Sequence, residues 1–569
     1  MNLEDILKRG YFPKELPPPF NTNLFSDFFK NQTNFKGMQG NDNKSMYLDY
    51  SIPKTNYFRT KVGVVNPYNF LVLTEVIINN LSIITRVFNK SILTTSKPDI
   101  NNYFRTEFSY GEFKDKALLD SINTSVILIT DISRFYSSIY THSIPWALHT
   151  KAVTKTNRTN SLFGNVIDTE LRNCQDQQTN GIPIGPITSN IIAEIILCEI
   201  DDKLKNKINK GKRYVDDYML FFDSISDAED AFKELQKYLL DYQLEINSNK
   251  TKIENMPYQI EENWINDLTT FFSNSLFLKQ KSFLTKLYNK VLELKKANPN
   301  KYVIKYLITI LKDMFIEEDS WKLFETYLLN LTKLDTSILP DVLIIIKSYH
   351  LEYNFSLGDI EDFYKILIRD NVTKGNHYEV SWSLWSLYEL NFTIDNDLAK
   401  DILNSEDWIS KIIIFHLNSE NKISGSLTKN ISIENVNIDN LDLYNKKWLF
   451  TYETLYNNWL ADTNAILSND VFFKKLKDNN ISFYDKTISS DLINLDALRD
   501  SNKVIFEVDN SSFLSNLHIA KTKISNAEEF DEVKDAYIDL LSCFESYIED
   551  INSEFSEHIK EILDKRRDY

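Results

Sequence analysis

The chain has 569 residues, more than one hydrophobic core can organise, and its 43% apolar and 13% aromatic content places it among folded globular proteins and excludes general disorder. Three cysteines, Cys174, Cys198 and Cys543, show no CxxC spacing, which excludes a Cys-based structural zinc site and suits a reducing compartment, so a cytoplasmic location is expected. The net charge of −17 is unevenly spread: residues 1–255 carry 30 basic and 30 acidic side chains, so the whole acidic excess belongs to residues 256–569.

The first segment, 1–49, reads as an N-terminal arm. "MNLEDILKRGYFPKELPPPF" mixes charge with proline and has no apolar core of the signal-peptide kind, and no apolar run along the chain nears 18 residues, so no membrane span is expected. Gly10 precedes Tyr11 and a triple proline, Pro17 to Pro19, follows it, which predicts a flexible tip on a stiff extended arm.

Residues 50–260 follow within the turn-rich half of the chain: 9 of 12 glycines and 11 of 13 prolines lie before residue 258. "SVILITDISRFYSSIY" (125–140) predicts a strand ending at Asp131, with a helix start after it. "TNGIPIGPITSNIIAEIILCEIDDKL" (179–204) predicts a Gly/Pro turn feeding a helix with Ile191, Ile192, Ile195, Ile196 and Ile200 on a buried stripe. Gly185 in that turn allows close approach of a ligand, having no side chain. "RYVDDYMLFF" (213–222) predicts a hairpin with a tight turn at Val215, Asp216 and Asp217. Two adjacent carboxylates in an apolar run repel each other and resist burial unless paired or bound to a cation. Two divalent cations between Asp131 and the Asp216-Asp217 tip would offset that repulsion, and such a pair clamps an in-line phosphoryl displacement as in polymerases.

Residues 261–569 read as stacked helices, of a HEAT-like kind although no strict sequence period is visible. Trp321, Phe324, Leu328 and Leu331 follow helical spacing, as do Val533, Tyr537, Leu540, Phe544 and Tyr547. "SENKISGSLTKNISIENVNIDN" (419–440) reads as a solvated polar loop.

The ordered set "DISRFYSSIYTHSIPW" (131–146), "GIPIGP" (181–186), "RYVDDY" (213–218) and "INSNKTKIENMP" (246–257) resembles the reverse transcriptases, and within them the abortive-infection (Abi) branch of bacterial antiphage polymerases of the AbiK type. The resemblance implies an α+β fold: reverse-transcriptase-like fingers and palm, then an all-α HEAT-like domain in place of the thumb. It implies that Asp131, Asp216 and Asp217 hold two Mg²⁺ ions, or Mn²⁺. Tyr136 would exclude a ribose 2′-OH, making dNTPs the substrate, and Lys250 would protonate departing pyrophosphate. Arg59, Lys61 and Gly185 would contact the nucleotide.

It further implies template-independent DNA synthesis started on a tyrosine of the protein, with single-stranded DNA left covalently attached, a homo-oligomeric state and a phage factor as a further partner. Tyr11 is the expected primer, with Tyr47 and Tyr50 as rivals. One departure from the retroviral pattern is Ile184, where those enzymes carry a Gln that seats the nucleotide. A templated reverse transcriptase with an RNA partner, and an inactive binding scaffold, are the alternatives that the sequence leaves open.

Overall fold

The computed structural model describes residues 2–38, 44–55, 57–99, 106–275, 279–424 and 438–499. Chain contacts gather the molecule into two compact units, one of residues 1–260 with 356–490, the other of 261–355 with 491–569. The units thus do not follow the linear division at residues 49 and 260.

In the first unit a four-stranded antiparallel sheet runs in the order β4-β5-β3-β6, built from β3 (Val126–Asp131), β4 (Gly211–Tyr214), β5 (Asp217–Phe222) and β6 (Lys252–Asn255). Both faces of its centre are covered, which is why β3 and β5 read as apolar runs without polar alternation. Ile127, Met219 and Phe221 pack against Phe113 and Ala117 of the helix Tyr110–Asp120, while the helix Ile225–Asp241 packs against β3 and β5. The predicted stripe on the helix Ile187–Leu204 is buried at all five isoleucines. A second antiparallel hairpin pairs β1 (Leu48–Thr55) with β2 (Phe58–Val64).

The expected flexible arm is instead a folded layer of the first unit. The helix Leu3–Arg9, capped by the Asn2 side chain accepting from the Asp5 N–H, packs on Asn23–Phe29 and on Pro67–Asn79. Four rings hold the intervening chain: Tyr11 stacks on Phe70 at 4.1 Å, and its edge meets Phe12, Phe25 and Phe483. The triple proline folds back, and Trp382 donates to the Glu15 carbonyl (2.8 Å). The helix His377–Glu389 packs between Gly358–Val372 and Trp408–Ser419 and also lies along β1.

The second unit is helical where it is described, with Asn263–Ser275, Gln280–Ala297, Val303–Leu311, Glu318–Leu334 and Leu339–Tyr353 packing mainly on sequence neighbours. Trp321, Phe324, Leu328 and Leu331 are buried as their spacing predicts, and Trp321 stacks on Tyr349 and Phe355. The apolar series from Val533 to Tyr547 and most of the polar stretch 419–440 lie outside the described residues. Among the described residues no single helix is long and apolar enough to cross a membrane.

Candidate active site

The acidic pair stands at the tip of the β4-β5 hairpin. Tyr214 pairs with Asp217, leaving Val215 and Asp216 as a two-residue loop at the tip, and Asp217 begins β5. Asp217 is also the cross-strand partner of Asp131, the last residue of β3, so three carboxylates from two distant segments meet at one end of the sheet. Val215 takes φ +51°, a left-handed conformation that costs a β-branched residue about 1–3 kcal/mol.

Burial, then the charges of Asp217 and Asp131, push the Asp216 carboxyl up to about 7. Asp131 is held on both sides: the Asn247 N–H donates to its carbonyl (2.8 Å), and the Asn247 side chain donates to Oδ1 (3.2 Å). The Lys250 ammonium donates to the other carboxylate oxygen, Oδ2. Burial lowers the Lys250 pKa, but the bond to Asp131 and the charges of Asp217, Asp131 and Asp216 outweigh it, so the ammonium is held above its usual value.

Among the described residues no three His, Cys, Asp or Glu side chains are already arranged around a common point as a cation site, and Asp131 is engaged by Lys250. The donor set still fits a hard divalent cation, being all carboxylate oxygen. Burial and then carboxylate repulsion keep a proton on Asp216 up to about 7, and a bound cation would relieve the repulsion.

Tyr136 lies on the short helix Phe135–Ser138 after Asp131. Its hydroxyl donates to Asn190 (2.9 Å), and burial, then the nearby Asp216 and Glu194 charges, oppose its ionisation. The 181–187 turn is tied to the same place. The Ile182 N–H donates to the Tyr136 carbonyl (2.9 Å), and two further bonds, Gly63 N–H to Ile184 (2.8 Å) and Ile187 N–H to Gly10 (2.8 Å), tie the turn to β2 and the N-terminal layer. Gly185 has φ +118° and lies so close to Pro13 that a Cβ would sit 3.1 Å from its ring.

Three expected residues lie differently. Arg59 does not face the carboxylates: its guanidinium makes a two-pronged pair with Glu379 (2.8 and 2.7 Å) and donates to the Ser51 side chain and carbonyl, because the buried Glu379 carboxylate requires a cation. Lys61, largely exposed, is 3.8 Å from Asp49 across the hairpin. Tyr11 is fully buried and donates to the Val65 carbonyl (2.6 Å), since the aromatic cluster around it outweighs the local turn signal. Of its rivals, Tyr50 is buried against Ser381 (2.7 Å). Tyr47 is half-buried beside Gly63.

Asn247, Asn190, Ser96, Glu194 and Arg213 belong to the site or its support and were not singled out by sequence. Each is a polar or charged residue of common type, and Arg213 follows Lys212 in the short strand Gly211–Tyr214, where a basic residue draws no notice.

A strand-end Asp, a glycine turn and an Asp-Asp hairpin on one antiparallel sheet define a nucleotide-polymerising palm. Residues 52–307 match the model of the reverse transcriptase (RNA-dependent DNA polymerase) family, so this part of the chain is a reverse transcriptase domain, of nucleotidyltransferase type. Among solved structures the chain is similar to apo telomerase from Candida tropicalis, at 10% identity and TM-score 0.30 over 69% of this chain and 72% of that one. It is also similar to telomerase from Candida albicans in complex with a telomeric RNA fragment, at 13% identity and TM-score 0.27 over 65% of this chain and 64% of that one. No curated protein matches the chain.

Proposed function

We propose that the protein is an antiphage DNA polymerase of the abortive-infection kind that polymerises dNTPs without a template, starting on a tyrosine of its own and keeping the product attached. The observation that carries the polymerase part is the convergence of Asp131, Asp216 and Asp217 at one sheet end. Asp131, Asp216 and Asp217 would hold Mg²⁺, two ions, or Mn²⁺ in its place, which would supply charge neutralisation at the reacting phosphate. The tyrosine hydroxyl gives up its proton to a carboxylate of the cluster, its oxygen bonds to the α-phosphorus, and the bond from that phosphorus to the oxygen bridging to the β-phosphate breaks. Lys250, released from Asp131, gives its proton to the leaving pyrophosphate. Tyr136, beside Asp216, blocks a 2′-OH.

Two features support synthesis without a template. Ile184 brings no side-chain hydrogen bond to the nucleotide turn, and the acidic excess of residues 256–569 opposes a long duplex. A single strand has a track near the site. Residues 132–167 contain no Asp or Glu, and Arg134, Lys151, Lys155 and Arg158 are exposed there. Lys151 lies 4.3 Å from the Trp146 ring and Tyr140 packs on Trp146 at 5.8 Å, a mix of cation and aromatic suited to phosphate and base. Tyr47, the least buried of the three primer candidates and next to the 181–187 turn, is favoured over Tyr11 as the primer. A HEAT-like helical array, a homo-oligomer, a cytoplasmic location and a phage factor belong to the same reading.

The family description itself favours a second reading, a templated reverse transcriptase with an RNA partner. Purified protein incubated with dNTPs and Mg²⁺, with no nucleic acid added, separates the two. DNA linked to protein supports the first, dependence on an added template supports the second, and no synthesis in either condition leaves a binding scaffold. Mass spectrometry of the nuclease- and protease-digested adduct identifies the priming tyrosine.

A further inference from the structure

The loop that carries Asp216 is held from beneath by groups outside the carboxylate cluster. Arg213 is fully buried and directs its donors inward. Nε and Nη2 donate to Asp201 (2.9 and 2.8 Å), Nη1 and Nη2 donate to Glu194 (3.1 and 2.9 Å), and Nη1 also donates to the Val215 carbonyl (2.9 Å). The Val215 N–H donates to Ser96 Oγ (2.7 Å), and Ser96 Oγ donates onward to Glu194 (3.3 Å). The Thr94 and Ser91 hydroxyls donate to Glu194 Oε1 and Asp201 Oδ2, which Arg213 also engages, and the Tyr218 hydroxyl donates to Asp201 Oδ1.

A β-branched residue with positive φ reverts to ordinary backbone unless its surroundings hold it. Here the amide and the carbonyl of Val215 are each gripped by one arm of the same buried network. That network reaches the Asp216 loop through the Val215 backbone. Lysine could not replace the arginine, because five donors in a rigid fork are needed to meet two carboxylates and a carbonyl at once.

We propose that Ser96, Arg213 and Glu194 are positioning residues that hold Val215 left-handed and thereby aim Asp216 at the bound cation and nucleotide. The function of that aim rests on the polymerase reading; the mechanical claim does not.

The test compares Ser96→Ala, which removes one grip and one hydrogen bond to Glu194 but leaves the Arg213 ion pairs in place, with Ser96→Thr, which restores the hydroxyl, and with Arg213→Lys. Three readouts are taken on full-length protein: amide hydrogen exchange of residues 214–218, Mn²⁺ affinity by electron paramagnetic resonance, and kcat and KM for dNTP. Losing one buried hydrogen bond corresponds to about a tenfold change. Ser96→Ala is therefore expected to exchange about tenfold faster, bind Mn²⁺ about tenfold more weakly and lose about tenfold in kcat. KM should move less than about twofold, Ser96→Thr should return toward wild type, and Arg213→Lys should be affected more than Ser96→Ala.

If the wild type polymerises while Ser96→Ala matches it in exchange and Mn²⁺ binding, the inference is overturned and the polymerase reading stands. If the wild type makes no DNA but the exchange and Mn²⁺ changes occur, the polymerase reading fails and the positioning role is upheld. Should Arg213→Lys not fold, the Ser96 pair still decides.

Discussion

Asp216 keeps its proton up to about 7 in the fold, whereas an Asp in an unfolded chain loses it near pH ~4. The folded state therefore binds the extra proton between these values. By linkage the stability associated with it is complete below about pH 4 and is lost as pH rises through about 7. Asp216→Asn cannot ionise and escapes that loss. It is expected to be more stable than wild type by about 1–2 kcal/mol near pH ~8, with the advantage shrinking toward pH ~5, and to incorporate no nucleotide. Thermal unfolding in metal-free buffer across that range checks the first part. An Asn variant no more stable than wild type near pH ~8 would contradict the repelling cluster. Tyr136 offers a second residue-scale test. Its ring stands next to Asp216 and is fixed by Asn190, so Tyr136→Ala should raise ribonucleotide incorporation relative to dNTP by tenfold or more, an estimate of roughly 1.4 kcal/mol of lost exclusion. Unchanged sugar discrimination in an active Tyr136→Ala protein would remove it from that role.

Between elements, the β1-β2 hairpin is fastened to the helix His377–Glu389. Tyr50 and Ser381 share a hydrogen bond, the Ser51 N–H donates to His377, and Arg59 pairs with Glu379. Arg59→Ala would remove the two-pronged cationic partner of a carboxylate that is only 3% exposed, so a loss of about 2–4 kcal/mol is expected, measured by denaturant unfolding. The double variant with Glu379→Gln should recover part of it. A triphosphate ligand would behave otherwise, with stability kept and dNTP KM raised, and that outcome would return Arg59 to the nucleotide. Neither the hairpin nor its fastening was read from the sequence, the fastening because Glu379 lies 320 residues further along the chain and no local pattern pairs them.

Across the whole molecule, charge and binding surface part company. The net charge is −17, yet the acid-free stretch 132–167 begins immediately after Asp131 and exposes four basic side chains. A polynucleotide leaving the site along it would depend on salt. Replacing Lys151, Lys155 and Arg158 together by Glu should shorten the DNA product and flatten its dependence on ionic strength, while addition of the first nucleotide is kept. Gel analysis of product length over a salt series checks this. Equal lengths at every salt concentration would place the strand elsewhere.

Sequence alone determined the features set by local order and period. Apolar runs became β3 and β5, the isoleucine stripe became the buried face of Ile187–Leu204, and Trp321 to Leu331 became a buried helix face, because side-chain periodicity follows backbone geometry. The strand-end Asp131 and the hairpin pair Asp216-Asp217 were legible for the same reason, as carboxylates breaking apolar strands. Tertiary structure alone decided partners distant along the chain. Tyr11 sits beside a glycine and a triple proline, a local pattern that predicts a mobile tip, but Phe70 and Phe483 supply ring faces that bury it. Residues 356–490 fold with the first 260 rather than with the helices that precede them, a choice made by contacts such as Arg59 with Glu379 and Trp382 with Glu15. Burying aromatic area and pairing a buried charge are free energies of assembled surfaces, and the order of residues along the chain does not record which surfaces will meet.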